Sequence, residues 1–177
     1  MKSVPGLSVR PTPDRLREAL FNVLAPVIAD KVFVDAYAGC GAVGIEALSR
    51  GARRAVFIEK NRAALEVLEE NLRKLDLRAR SDVIRGAVAK ALPQAGGDIL
   101  FLDPPYSNPD EYTSALQALA GAAPALVVVQ HDSHHTLAAR FGRLACYRVL
   151  KQGDNCLSFY RPETETSETF SPPARLI

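Results

Sequence analysis

The residues best suited to chemistry lie in two short stretches, DAYAGCGAVG at positions 35–44 and DPPY at positions 103–106. The first contains the pattern G-x-G-x-x-G, in which glycines let the backbone approach a nucleotide-like ligand and the next helix offers free N–H groups. The second places an aspartate and two prolines, which fix φ and lack N–H donors, before a tyrosine. Together they predict a nucleotide-like ligand beside a rigid array of hydrogen-bond acceptors.

The position of the glycines indicates which ligand is favoured. In a dinucleotide site the first glycine follows the strand closely, whereas here the strand is predicted to end near Asp35 and Gly39 comes four residues later. A carboxylate at the root of the loop repels a pyrophosphate but attracts an ammonium group, such as that of S-adenosylmethionine. Glu59, at the end of the second strand, can accept hydrogen bonds from both hydroxyls of a ribose, which suits either class of cofactor. The loop therefore favours S-adenosylmethionine over NAD.

The DPPY stretch suits an exocyclic amine of a nucleobase. That nitrogen is a poor nucleophile because its lone pair is delocalised into the ring. Acceptors such as the Asp103 carboxylate and the Pro104 carbonyl can bind its two hydrogens and hold it nearer to tetrahedral geometry, while Tyr106 stacks on the base. A sulfonium already activates the methyl group, so positioning and acceptor electrostatics are the protein's main contribution. We predict Asp103, Pro104 and Tyr106 as the catalytic residues.

Short apolar runs alternate with segments of helical spacing along the chain. Seven strands are predicted, at KVFVDAY, RRAVFIE, ARSDVIR, GDILFLD, PALVVVQ, RLACYRVLK and NCLSFYR, the last two antiparallel across a turn at residues 153–155. Helices are predicted in the first 28 residues, with Thr12 as a plausible N-cap, and at GAVGIEALSR, NRAALEVLEENLRKL, VAKAL, PDEYTSALQALAG and SHHTLAAR. This alternation predicts a doubly wound α/β fold that binds ligands beyond the carboxyl ends of its strands.

Composition favours one globular domain over residues 1–161, followed by a polar Pro/Thr/Glu-rich tail at 162–177 that is expected to be disordered. The N-terminus lacks an apolar signal region, and the most apolar stretch is interrupted by Gly121 and Pro124, so we expect neither export nor membrane insertion. Three cysteines without metal-binding spacing fit the reducing cytoplasm. The net charge of +2 is compatible with a polyanionic partner, although charge alone favours a solvated surface.

Other residues that could do chemistry have weaker support. His131 and His135 have the i,i+4 spacing of metal ligands, but no third ligand is evident, so we expect these histidines and His134 to lie in a surface loop without metal. Cys40 is expected to fill the glycine loop rather than act as a nucleophile, because no histidine partner is evident. The basic residues between positions 73 and 80 are expected to be solvated.

Five segments, in order, resemble the bacterial 16S ribosomal RNA guanine-N2 methyltransferases, the family that acts at guanine 966: RPTPDRLREALFNVL, FVDAYAGCGAVGIEALSRGA, VFIEKNRAALEVLEENL, DILFLDPPY and GDNCLSFYR. The resemblance runs from about Leu7 to Arg161. It implies a Rossmann-like class I methyltransferase fold with a seven-stranded, mostly parallel sheet that ends in an antiparallel strand. It also implies S-adenosylmethionine-dependent methylation of a guanine N2 in 16S rRNA, within an assembled or assembling small subunit, by a protein expected to be monomeric.

The resemblance implies a role for each matching residue. Asp35, Gly39 and Gly41 would line the methionine part of the cofactor, and Glu59 its ribose. Asp103, Pro104 and Tyr106 would hold the guanine amine, while Thr12 would border cofactor or RNA. After the third strand the family often has Gly-Asp-Ala, with the acid on the adenine amine. Here Gly86 is followed by Ala87, so that contact would come from the backbone or be lost.

Alternatives remain open at the level of sequence. The glycine loop and DPPY alone also fit a methylase of another exocyclic amine, such as adenine N6 in DNA or RNA. The family usually has a further basic arm before its RPT segment, and only nine residues precede Arg10 here, which leaves RNA docking open. The short arm and Ala87 together also motivate a catalytically idle RNA-binding assembly factor. An NAD oxidoreductase is the least favoured alternative.

Overall fold

The structure is a computed structural model that describes residues 14–105, 108–119, 121 and 124–163. In this part of the chain, eight strands form one sheet in the order β3-β2-β1-β4-β5-β8-β7-β6. The strands are β1 Val32–Ala36, β2 Arg54–Glu59, β3 Ser81–Arg85, β4 Ile99–Leu102, β5 Leu126–Asp132, β6 Arg140–Phe141, β7 Leu144–Gln152 and β8 Asn155–Pro162. The helices are α1 Asp14–Leu24, α2 Ala42–Ser49, α3 Arg62–Lys74, α4 Val88–Ala95 and α5 Asp110–Ala118, with a short 3-10 turn at Arg78–Arg80.

The first five strands are parallel, and helices cover both faces of the sheet. Successive side chains of a strand point to opposite faces. Phe33 of β1 therefore packs with α1 and α2, whereas its neighbour Val34 packs with α4 and α5. On the first face, α3 extends the cover by packing Leu68 against Phe57 of β2. Burial on both sides explains why these strands read as continuous apolar runs.

The sequence prediction of the fold class is confirmed, with one more strand than predicted. The extra strand, β6, consists of Arg140 and Phe141 and pairs antiparallel with Leu144 and Ala145 of β7. Gly142, with φ of 56°, lies in the turn that joins the two strands. A two-residue strand has no periodicity that a sequence pattern can reveal, so it becomes visible only through its pairing.

The predicted helix at SHHTLAAR is wrong, because β5 continues to Asp132 and residues 133–139 form a turn and an irregular segment. The side chain of Asp132 accepts a hydrogen bond from the His134 N–H at 2.8 Å, a local bond that competes with helix formation. Asp132 also pairs with Asn155, so the antiparallel ladder extends into the predicted helix.

The boundary predicted at residue 161 falls just inside the last strand. β8 continues to Pro162, and the Glu163 N–H donates to the Arg143 carbonyl at 2.9 Å. Residues 164–177, predicted to be disordered, and the predicted N-cap Thr12 lie outside the described residues. Among the described residues, no helix combines the length and apolar character needed to cross a membrane.

Candidate active site

Three parallel strands end in register at one edge of the sheet. Ala36, the last residue of β1, is paired with Ile58 of β2 on one side and Leu102 of β4 on the other. The next residues, Tyr37, Glu59 and Asp103, therefore follow side by side, as the sequence predicted for the carboxyl edge. Beyond Glu59, Arg85 ends β3 and is followed by Gly86 and Ala87. This edge is called the carboxyl edge below.

The glycine pattern between β1 and α2 is required by packing within the protein. Gly39 and Gly41 have φ values of 55° and 84°, in the left-handed region that favours glycine. A Cβ on Gly41 would lie 2.4 Å from Leu68 of α3, and one on Gly44 would lie 2.3 Å from Phe57 of β2. The second glycine thus lets the loop close against α3, and the third lets α2 pack against the sheet.

Asp35 lies beneath this loop and is only 2% exposed. Its Oδ2 accepts a hydrogen bond from the Gly44 N–H at 2.8 Å. Burial raises the pKa of Asp35 to about 7; the Gly44 hydrogen bond opposes this shift, and the negative charge of Glu59 adds to it. A cation beside this carboxyl would favour its ionised form, so the site suits a positively charged ligand.

Glu59 is held in place by three backbone N–H groups. Its Oε2 accepts from Gly39 at 2.7 Å, and its Oε1 accepts from both Lys60 and Asn61 at 2.8 Å. These bonds fix the carboxylate against the glycine loop. They use three of its four acceptor positions, so one is left for a ligand. Its orientation is determined by the protein before any ligand binds.

Among the described residues, the space next to Glu59 is open on the side of β3. The Gly86 N–H donates to the Glu59 carbonyl at 3.0 Å, and a Cβ on Gly86 would have no heavy atom of the described residues within 4 Å. Ala87 is the N-cap of α4 and is exposed, and it provides no side-chain cap. Because neither residue has a polar side chain, hydrogen bonds to a ligand here can come only from their backbone groups.

The segment predicted to hold the substrate starts at the same edge. Asp103 is partly buried, Pro104 is buried and Pro105 is exposed. The Pro105 carbonyl accepts a hydrogen bond from the Asn108 N–H at 3.0 Å, which turns the chain towards α5. Tyr106, predicted to stack on the base, lies outside the described residues, as does Thr12.

Two polar interactions at this edge were not predicted from the sequence. Tyr37 donates its hydroxyl to Glu111 of α5 at 2.8 Å. Asn71 of α3 is buried and donates its Nδ2 to the Cys40 carbonyl at 3.0 Å, which holds the glycine loop. Asn71 could have been noticed as a polar residue on the otherwise apolar face of α3, whereas no local pattern points to Glu111.

The remaining candidates have structural roles. His131 is 4% exposed, its Nε2 lies 2.8 Å from Ser158 Oγ, and burial lowers its pKa, so its placement in a surface loop was wrong. No group of three or more His, Cys, Asp or Glu suited to a metal occurs among the residues that the structure describes. Burial raises the pKa of the Cys40 thiol, which disfavours the nucleophilic thiolate.

The basic residues of α3 and the turn after it interact with the protein itself. Arg78 and Arg85 lie near Glu69, and Lys74 pairs with Glu70. Arg80 donates to backbone carbonyls at the end of α2 and before β2, namely those of Leu48, Ala52 and Arg53. These contacts orient the basic side chains on the protein, and their assignment to a solvated surface stays a prediction.

A parallel sheet with a glycine loop after β1, an acid at the end of β2 and Asp-Pro-Pro at the end of β4 defines a class I methyltransferase. Residues 1–161 match the family described as Conserved hypothetical protein 95, and the chain belongs to that family.

Three relatives show how far the similarity extends. The chain is 32% identical over 171 residues to the Bacillus subtilis protein "Putative rRNA methyltransferase YlbH", covering 91% of this chain and 92% of that protein. It is 47% identical over 104 residues to Ribosomal RNA small subunit methyltransferase D of Escherichia coli, a match that covers 58% of this chain and 51% of that protein. A solved structure described as "Putative methyltransferase yhhF from Escherichia coli" superposes with a TM-score of 0.77 at 35% identity, covering 87% of both chains.

Proposed function

We propose that this chain is an S-adenosylmethionine-dependent methyltransferase that modifies the exocyclic N2 of a guanine in small-subunit ribosomal RNA. The observation that carries the proposal is the register at the carboxyl edge, which sets Asp103 beside the glycine loop of β1. The names of the relatives from Bacillus subtilis and Escherichia coli support rRNA as the substrate class. The choice of guanine N2 rests on the family resemblance of the motifs.

The residues at the edge fit the proposed cofactor. Asp35 would attract the ammonium group of its methionine part, Gly39 and Gly41 would line that part, and Glu59 would accept from a ribose hydroxyl at its one remaining acceptor position. The open space beside Gly86 leaves room for an adenine, with backbone groups of Gly86 and Ala87 as its partners. When bound, S-adenosylmethionine supplies a methyl group that its sulfonium has already activated.

The residues after β4 would prepare the nucleophile. The Asp103 carboxylate and the Pro104 carbonyl accept the two N2 hydrogens, which holds the nitrogen lone pair out of the ring plane, and Tyr106 fixes the plane of the base. Held this way, the nitrogen lone pair would face the methyl group that the cofactor would supply when bound by Asp35, Gly39, Gly41 and Glu59. The surplus proton of the amine passes to Asp103 or to water. The protein contributes orientation and acceptor electrostatics rather than a strong base.

The proposal extends to partners and location. The substrate would be 16S rRNA within an assembled or assembling small subunit, and the chain would act as a cytoplasmic monomer. Mass mapping of 16S rRNA from cells that lack the protein is the most direct test. One guanine that loses an N2 methyl group supports the proposal, and loss of an N6 methyl group from an adenine supports the alternative. Unchanged rRNA, together with particle binding but no turnover, would indicate an assembly factor.

Asp103→Ala is expected to keep the affinity for S-adenosylmethionine and to lower the rate of methyl transfer at least about a hundredfold, the scale of a lost acceptor group in a catalytic site. Affinity is measured by calorimetry and the rate by transfer of labelled methyl groups to small-subunit rRNA. Asp82→Ala is the control, because Asp82 is an exposed partner of Arg54 at the opposite end of the strands. A turnover in Asp103→Ala equal to that of the unmodified chain would remove Asp103 from the mechanism.

A further inference from the structure

A hydrogen-bonded pair connects the glycine loop, which would bind the cofactor, to α5, which follows the proposed substrate segment. The Tyr37 hydroxyl lies 2.8 Å from Glu111 Oε2, and Lys60 Nζ lies 3.3 Å from Glu111 Oε1. The side chain of Glu111 is 21% exposed, whereas that of Lys60 is 59% exposed. An exposed ion pair contributes little, so Tyr37 is the main partner that holds Glu111.

The pair closes the segment that starts at Asp103. Tyr37 directly follows β1, and Asp103 directly follows the neighbouring strand β4, so the first end of the segment is fixed by the sheet. Glu111 is the second residue of α5, eight positions after Asp103, and its bond to Tyr37 fixes the other end. The sheet therefore fixes the first end of the proposed substrate segment, and the residue at the start of the glycine loop fixes the second.

The backbone of Tyr37 also shapes that loop. Tyr37 has φ of 70°, a left-handed conformation that costs free energy for any residue other than glycine and persists where its surroundings require it. This turn lets the N–H groups of both Tyr37 and Ala38 donate to the Ile58 carbonyl, at 3.1 and 3.0 Å. Burial and the Glu111 carboxylate raise the pKa of Tyr37, which keeps its hydroxyl protonated as a donor.

We propose that Tyr37 and Glu111 form a positioning pair that transmits the placement of the glycine loop to the segment that begins at Asp103. The inference rests on the proposed function, since it assigns cofactor to the first element and substrate to the second. Neither residue needs to contact the reacting atoms. Because Tyr37 bonds the glycine loop to the start of α5, order in the loop favours order at the end of the segment, and the two ligands would bind cooperatively.

The test separates positioning from binding. Tyr37→Phe and Glu111→Ala are each expected to lower kcat about tenfold, the effect of a hydrogen bond to a charged group, with the Kd for S-adenosylmethionine changed less than about twofold. Glu111→Gln keeps a side-chain oxygen that can accept from Tyr37, and it should recover most of kcat. The double variant should be no slower than the slower single variant, because both remove the same bond.

Tyr160→Phe is the matched control. The buried Tyr160 donates its hydroxyl to the Ala138 carbonyl at 2.9 Å. Tyr160 pairs with Val127 near the start of β5, away from the carboxyl edge. Its loss should leave kcat unchanged. An unchanged kcat in Tyr37→Phe would contradict the proposed positioning role. So would a double variant whose loss of kcat equals the product of the two single losses.

A second measurement does not depend on catalysis. Hydrogen exchange of the peptide spanning residues 103–112 should be several-fold faster in Tyr37→Phe than in the unmodified chain, and unchanged in Tyr160→Phe. Equal exchange in Tyr37→Phe and the unmodified chain would overturn the inference. If the unmodified chain neither binds S-adenosylmethionine nor methylates rRNA, the proposed function fails, and the exchange comparison still decides whether the pair holds the segment.

Discussion

At the scale of single residues, the site combines two carboxyl groups with different surroundings. Asp35 is buried and accepts one N–H group, whereas Glu59 accepts three and stands at the surface of the carboxyl edge. Burial disfavours the charged form of Asp35, so its titration is moved towards neutral pH. We expect this residue to make cofactor binding depend on pH.

The affinity for S-adenosylmethionine should increase as the pH rises through about 7, because Asp35 must ionise before it can attract the ammonium group. Asp35→Asn should bind more weakly and lose that dependence, which separates the titration of the protein from that of the ligand. Calorimetry at several pH values measures both. Glu46→Gln, which alters a surface pair with Arg50, should behave as the unmodified chain does. The same pH dependence in Asp35→Asn would exclude Asp35 as its source.

In the ligand-free protein, the contribution of Asp35 to folding stability changes with pH in the opposite direction to the cofactor affinity. The folded-state pKa of Asp35 is raised above the unfolded value of 3.8, so its contribution is fully present below pH 3.8 and is lost as the pH rises through about 7. A bound cation should offset this loss. The difference in Tm between ligand-bound and ligand-free protein is therefore expected to be larger above pH 7 than below it.

At the scale of elements, the close approach of α2 to β2 depends on Gly44. A Cβ at that position would meet the Phe57 ring at 2.3 Å, and Phe57 is fully buried between α2 and α3. Interiors are packed too densely for such a group to be accommodated without displacement. Gly44, the third glycine of the motif, therefore allows α2, whose N-terminus follows the loop, to pack closely against β2.

Gly44→Ala should destabilise the protein by about 1–3 kcal/mol, the usual cost of overpacking, less a small gain in helix propensity. Urea unfolding measures the change. Adding Phe57→Leu should recover part of the loss if the ring is the obstacle. Gly121→Ala is the control, because a Cβ there would meet no atom of the described residues within 4 Å, and it should change stability by less than about 0.5 kcal/mol. Full stability of Gly44→Ala would show that α2 can shift freely.

At the scale of the whole molecule, the antiparallel end of the sheet completes the core and extends past the predicted boundary at residue 161. Phe159 and Tyr160 of β8 are buried on opposite faces of the sheet. Pro162 is paired with Leu144 of β7, and Glu163 follows with an ion pair to Arg140 and a backbone bond to Arg143. We therefore expect residues 162 and 163, which lie beyond the predicted boundary, to contribute to the stability of the fold.

A chain shortened to residues 1–163 should keep the Tm and the S-adenosylmethionine affinity of the full chain. A chain shortened to 1–161 should lose a few degrees in Tm, because it lacks the last ladder pair and the Glu163 contacts, worth about 1 kcal/mol together. Differential scanning calorimetry of the two chains and the full-length protein makes the comparison. Equal Tm values for 1–161 and 1–163 would place the boundary where the sequence predicted it.

The sequence by itself determined the fold class and the edge at which the proposed site residues lie. Apolar runs, helical spacing and glycine patterns are local signals, and a parallel sheet brings the ends of its strands to one edge. Asp35, Glu59 and Asp103 could therefore be assigned to that edge before their surroundings were known. Tertiary structure alone decided the bond between Tyr37 and Glu111, which are 74 positions apart, the burial of His131 and the pairing of β6. These features depend on register and packing between distant segments, and no periodicity within a single segment encodes them.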